Sequence, residues 1–303
     1  MGTIKRVLLA VDLKAQNPAL TKRVWGVLEP LLKNNRATVE PVAVLNREDA
    51  AMGKALRGQI GMLQTAAETH LGQQLKKQGL EGLAAPKVIF ADGSATQRAV
   101  TALIAHAKKT KCDLIAVSSN ARKGVSRFFL GSFAETLALQ SPIPLLVVSP
   151  QQKSGLGKVK TILFPTDFSP NSKAGLEIVC RSFGEKPRIV LFNGFIFSSQ
   201  LYMEPLAAYP LPQSVFEEEF KKYEETGKAW CRELKAKGVT CELVMDRKSS
   251  FVTDGVLLAA KRKKADLIAM VSSTGKLGST FLGSVTRQIL RQSTVPVWVV
   301  HPK

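Results

Sequence analysis

The sequence predicts an α/β protein built as two tandem doubly wound domains, each a five-stranded parallel sheet with helices on both faces. Three observations predict it. Short apolar runs rich in Val, Ile and Leu alternate with amphipathic stretches along all 303 residues, the pattern of a parallel sheet covered on both sides. The order of these runs is written twice. The end of each copy is also nearly the same text: CDLIAVSSNARKGVSRFFLGSFAETLALQSPIPLLVVSP from Cys112 to Pro150, and ADLIAMVSSTGKLGSTFLGSVTRQILRQSTVPVWVVHP from Ala265 to Pro302. The length agrees with two domains of roughly 100–200 residues each. The first domain is read as residues 1–150 and the second as 159–303; the polar, Gly-containing segment 151–158 between them has no periodicity and reads as a linker.

Each copy opens with an apolar run ending in Asp, RVLLAVD to Asp12 and KTILFPTD to Asp167, read as buried strands. A helix follows each; after Asp167, Ser169 suits a cap and Pro170 a first helical turn. The second strands are ATVEPVAVL and PRIVLFNGF. Next comes a long amphipathic helix. Met52, Leu56, Ile60, Leu63, Ala67, Leu71 and Leu75 mark its apolar stripe in the first copy; Phe216, Phe220, Tyr223, Trp230 and Leu234 mark it in the second, with a weak step at Gly227. The third strands are PKVIFADG and TCELVMD. A helix, a strand beginning DLI, a loop, a Gly-Ser, a last helix and a final strand complete each copy. The proline-broken stretch FIFSSQLYMEPLAAYPLPQ has no clean period and reads as a surface loop or lid.

Composition bounds the function. Hydrophobic residues make up 45% of the chain, enough for two ordinary cores. No apolar run reaches the roughly 18–20 residues of a membrane helix, and the N-terminal VLLAVD reads as a strand rather than a signal peptide. The four cysteines form no C-x-x-C pair and stand near no histidine at metal-ligand spacing. Cys112 and Cys180 read as small core residues, and a reducing cytoplasm fits. The net charge is +19, split as 20 basic against 10 acidic residues up to Pro150 and 23 against 14 beyond it. Such an even excess reads as solvated helix faces in preference to a nucleic-acid surface. KRKK at Lys261 to Lys264 answers a helix C-terminus.

The paired first-strand Asp, the ILFPTDFSPNS opening of the second copy, the DLI junctions, the repeated LGS and the terminal PIPLLVV and VPVWVV runs resemble the universal stress protein family over nearly the whole chain. The resemblance implies a five-stranded parallel sheet per copy, and pairing of the two domains through their last strands, here within one chain. It also implies a phosphate loop of the form G-x-x-G, nine residues, then G-(S/T). Glycines let the backbone approach phosphate, and the Gly-Ser opens a helix whose N–H groups favour an anion.

In the first copy the frame survives. Ser118 and Ala121 stand where the two glycines would be, nine residues follow, and Gly131 and Ser132 close the loop. The resemblance places Asp12 and Val44 at strand tips meeting an adenine and its sugar, with Gly93 at the third-strand tip. Lys14, Arg122, Lys123 and Arg127 supply positive charge nearby. Ser132 has a rival role, since SFAE from Ser132 to Glu135 is a capping-box pattern. The second copy reads as degenerate. Val271 replaces the first glycine, Thr274 or Gly275 the second, and only eight or seven residues lead from these to Gly283. Gly194 stands in the Val44 position. Asp167, Gly283 and Ser284 remain as remnants.

Other chemistries fail on spacing. SGLGK and STGKLGS are not P-loops, and no G-x-S-x-G elbow occurs. The three histidines assemble no catalytic set, and no residue stands out as a general base, so the chain reads as no enzyme, with no catalytic and no metal residues. The expected ligand is ATP or another adenine nucleotide, bound mainly in the first domain with Mg2+ carried by its phosphates. The alternative is a tandem module that binds no nucleotide and meets an unidentified protein partner through the segment Leu201 to Pro212. Either a monomer satisfied by internal pairing or a homodimer of four domains fits.

Overall fold

The computed structural model describes residues 4–13, 19–46, 60–93, 95–118, 131–149, 159–183, 186–195, 213–274 and 280–302. The first half runs β1 (Arg6–Val11), α1 (Ala19–Asn35), β2 (Thr38–Asn46), α2 (Ile60–Lys77), β3 (Lys87–Ala91), α3 (Thr96–Lys109), β4 (Leu114–Ser118), α4 (Ser132–Gln140) and β5 (Leu145–Val148). The second runs β6 (Thr161–Pro165), α5 (Pro170–Ser182), β7 (Arg188–Gly194), α6 (Gln213–Ala236), β8 (Cys241–Asp246), α7 (Val252–Arg262) and β9 (Leu267–Val271). A short hairpin of β10 (Ser273–Thr274) and β11 (Thr280–Phe281) follows, then α8 (Ser284–Gln292) and β12 (Val297–Val300).

The ten long strands form one sheet in the order β3-β2-β1-β4-β5-β12-β9-β6-β7-β8. Within each half every pairing is parallel. The halves meet through one antiparallel ladder, with Val297 opposite Val147, Trp298 opposite Leu146 and Val299 opposite Leu145. The expected pairing of last strands is therefore present inside one chain. One core lies under α1, α2, α5 and α6 and the other under α3, α4, α7 and α8. Both cores cross the seam, because the central strands bury side chains on both faces.

The repeated sequence has structural causes. In each DLI the aspartate ties the start of the fourth strand to the start of the first: Asp113 Oδ2 accepts from the Lys5 and Arg6 amides at 2.8 and 3.0 Å, and Asp266 Oδ2 from those of Lys160 and Thr161 at 2.8 and 2.9 Å. Ser141 and Ser293 each fold their hydroxyl into the turn before the last strand, donating to the carbonyls of Ile143 and Val295. Ser169 caps α5 as expected, accepting from the Ser172 amide at 3.1 Å ahead of Pro170.

Some elements differ from expectation. Met52, Leu56, the linker and 196–212 of the proline-broken stretch lie outside the described residues. Gly227 is no weak step: a Cβ there would sit 2.6 Å from Leu243 and 2.9 Å from Phe168, so the glycine lets α6 lie close on the sheet. Cys231 and Cys241 form a disulfide between α6 and β8, with a Cα–Cα separation of 5.1 Å that suits a bridge. Among the described residues no helix is long and apolar enough to cross a membrane.

His301, just past β12, is 6% exposed, and among the described residues neither ring nitrogen has a hydrogen-bond partner. Burial lowers its pKa to about 4, against about 6.5 in an unfolded chain. The folded state therefore refuses a proton that the unfolded state takes up as pH falls below about 6.5. Stability from this group is full above that value and is lost on descending to about 4, by about 3 kcal/mol in all. Urea unfolding at pH 7.5 and 4.5 should show His301→Phe losing about that much less stability than the wild type between the two conditions. Parallel losses would refute the assignment.

Candidate functional site

A cavity of about 360 Å³ opens at the C-terminal tips of β1, β2 and β4, beside the N-terminus of α4. Its position follows from topology. The chain leaves β1 toward β2 on one side and later returns to β4 on the other, so the crossovers diverge there and leave a crevice. Asp12, Val44, Ser118, Gly131 and Ser132 all line it. The remaining wall is apolar: Ala10, Val42 and Val117 from the strands, and Ala99 and Leu103 from α3. Strand period two could have found Ala10 and Val42, since they share a face with Asp12 and Val44 and pair in register.

The α4 end is open to a ligand. Gly131 occupies the N-cap with φ −54° and ψ 141° and offers no side chain, so the first amides of the helix keep their positive end toward the cavity. The capping-box reading of Ser132 is corrected here. A capping serine must stand at the N-cap, but Ser132 is the first helical residue, and Glu135 instead pairs with Arg291 of the second half. No hydrogen bond engages the Ser132 hydroxyl among the described residues. Gly93 does not reach the cavity wall. It holds φ +95° in the turn after β3, a conformation that side chains rarely adopt, and the Arg98 guanidinium, which donates to the Asp92 carbonyl at 2.8 Å, would have to shift for a Cβ there. Ala121, Lys14, Arg122, Lys123 and Arg127 lie outside the described residues.

The corresponding corner of the second half is built differently. Pro165 pairs with Phe192 as Ala10 pairs with Val42, so a phenylalanine takes the place of the cavity-floor valine. Phe192 is buried, and its ring lies 3.5 Å from where a Cβ on Gly194 would stand and 2.9 Å from one on Gly255. Gly255 makes room for the ring, while a Cβ at Gly194 would meet it only at ordinary contact distance, and the ring fills the slot. Val271, at the Ser118 position, turns its methyl against α5, where a Cβ on Gly175 would approach it to 2.2 Å. The loop after β9 turns back as the hairpin β10–β11.

The remnants have local work. Asp167 accepts from the Ser169 amide at 3.0 Å and the Ser172 hydroxyl at 2.5 Å, which fixes the entry to α5. Burial pushes its pKa up, but these hydrogen bonds outweigh burial and hold it below the usual carboxylate value. Gly283 is the N-cap of α8 and Ser284 its first residue, mirroring Gly131 and Ser132.

Comparison with known proteins agrees with this architecture. Two stretches, 3–149 and 158–301, each match the model of the universal stress protein family. The fold is similar to that of a universal stress protein from Archaeoglobus fulgidus DSM 4304, at 19% identity and a TM-score of 0.65, covering 99% of this chain and 97% of that one. It is also similar to a functionally unknown protein from Pseudomonas aeruginosa PAO1, at 16% identity and a TM-score of 0.64, covering 99% and 93%. No curated protein matches the chain. With both halves matched and the strand order repeated, the chain belongs to the universal stress protein family as a tandem member, a membership that supports a role in stress response.

Proposed function

We propose that the first half binds an adenine nucleotide and that binding acts by conformation rather than chemistry. One observation carries this: the cavity at the β1/β4 switch point combines an apolar slot, a carboxylate and the free start of a helix. Each part suits one part of the ligand. The slot between Val42, Val44 and Val117 takes a flat heterocycle. Asp12 accepts from base or ribose donors. The α4 amides and the Ser132 hydroxyl take a phosphate, and Mg2+ would arrive with the phosphates. The second half, with Phe192 in the slot, binds none and serves as the paired partner. Among the described residues that line the cavity none is assigned as a general base, and the proposed output is regulatory.

Thermal unfolding with and without Mg2+-ATP tests this, with AMP and GTP as comparisons. Ligand at about 100 times its dissociation constant stabilises the folded state by roughly 2.7 kcal/mol, which raises the midpoint by roughly 5–10 °C for a domain of this size. An adenine-selective rise is expected. No rise with any nucleotide would overturn the reading in favour of a module acting through protein contacts.

A further inference from the structure

The two halves also differ on the face that carries α1, α2, α5 and α6. In the first half α1 runs 17 residues, and its later turns put Leu28, Leu31 and Leu32 into the core with Leu71, Leu75 and Leu80. In the second, α5 stops after 13 residues. A cavity of about 360 Å³ runs along α5 from Lys173 to Arg181, between it and α6, within the range of small-molecule sites.

The walls of this cavity sort by chemistry. Its floor is apolar: Leu176, Phe183, Trp230 and Leu234 are all buried. Cys180 adds a thiol that burial pushes up to about 11, so it stays neutral near pH 7. Along the two helices the charges are matched in pairs. Lys173 pairs with Glu233 at 2.8 Å and lies over the Trp230 ring, and Arg181 pairs with Glu177 at 3.2 Å. Just past the C-termini of α5 and α6, close to the last of these pairs, stand Lys186 and Lys237. The Lys186 ammonium donates to the Lys237 carbonyl at 2.6 Å, and among the described residues no carboxylate lies within ion-pair distance of either lysine. Lys237 acts electrostatically on Cys180, opposed there by Glu177, and also on Glu233 one turn away on α6.

An apolar, aromatic-walled pocket whose lining carries four basic and two acidic side chains, and whose two lysines past the helix ends make no direct ion pair among the described residues, suits an anion with a hydrocarbon body. We propose that the α5–α6 cavity binds a medium-chain carboxylate, its chain against Trp230, Leu176 and Leu234 and its carboxylate between Lys186 and Lys237. The site is separate from the β1/β4 cavity, and its existence does not depend on nucleotide binding. The C-termini of α5 and α6 at that end favour cations on their own. The two lysines therefore carry the preference for an anion, and removing them should reverse it.

The test is tryptophan fluorescence of the full chain titrated with decanoate, octanoate, decanol and decylamine. Saturable quenching by decanoate is expected, and its loss in Trp230→Phe assigns the signal to the cavity rather than to Trp25 or Trp298. Octanoate should bind roughly tenfold more weakly for its two missing methylenes, and decanol and decylamine at least tenfold more weakly for lack of a negative charge. The double variant Lys186→Ala/Lys237→Ala, at two exposed positions that leave the core intact, should lose at least tenfold for decanoate and prefer decylamine. Cys180→Phe should fill the space and remove binding of every probe. Quenching that never saturates, decanol binding as tightly as decanoate, or an unchanged decanoate affinity in the double-lysine variant would each overturn the proposal. A null result with Mg2+-ATP would leave it standing.

Discussion

Val42→Phe is expected to abolish the nucleotide-dependent rise in the unfolding midpoint. The substitution copies into the first half the residue that closes the second. Val42 forms the floor of the β1/β4 cavity, and its counterpart Phe192 fills the same corner under Gly194 and Gly255. Counted back from the aspartates of the two DLI junctions, Asp113 and Asp266, the first-half counterpart of Gly255 is Ala102, so a lone phenylalanine would be overpacked, at a cost of about 1–3 kcal/mol. Adding Ala102→Gly supplies the space that Gly255 supplies. The double variant should unfold close to the wild-type midpoint without ligand, yet show no shift with Mg2+-ATP by calorimetry or thermal melt. A retained shift in that folded variant would mean that nucleotide binds elsewhere. Phe192→Val should not create a second site, because Val271 and the β10–β11 hairpin still occupy the place of the loop.

The second large effect is expected at the seam. Trp298 is 1% exposed and pairs with Leu146 across the only antiparallel ladder of the long sheet among the described residues. Its ring meets that of Phe183 edge-on, with centroids 6.1 Å apart. Trp298→Ala should cost about 3–5 kcal/mol in chemical denaturation, since the cavity it leaves spans both halves. The loss should also split one unfolding transition into two, as the halves cease to support each other. A single transition at a nearly unchanged midpoint would show that the seam is held by its backbone ladder rather than by this ring.

Much of the architecture was legible because buried parallel strands leave continuous apolar runs, and because the second copy repeats the order of the first. Asp12, Val44, Ser118, Gly131 and Ser132 could be placed together from the family loop spacing and the strand ends, since strand tips and a helix start are fixed by local sequence. What was not legible depends on packing between distant elements. The role of Ser132 turned on a shift of one position, with Gly131 rather than Ser132 at the N-cap; a capping pattern alone does not settle a helix boundary that finely. The closure of the second slot needed the ring of Phe192 together with Gly255 on another element, α7. The Cys231–Cys241 bridge joins a helix to a strand ten residues on, a spacing that belongs to no motif. The α5–α6 cavity is walled by two helices and by the segments that follow them, a grouping visible only once both helices are laid on the sheet.

The antiparallel join of β5 and β12 carries a consequence for how the protein behaves on dilution. Two separate subunits joined by such a ladder would come apart as their concentration fell. Here the partner is tethered, so pairing is a unimolecular event whose effective concentration, on the order of millimolar for partners joined within one chain by a short segment, does not change with expression level. A pair held in that way is always mixed: every molecule contains one copy of each half, and two like halves never have to meet. Changes that disable one half therefore cannot spread to the other through random assortment. A chain of this kind is free to keep one half for a ligand and give the other a different surface.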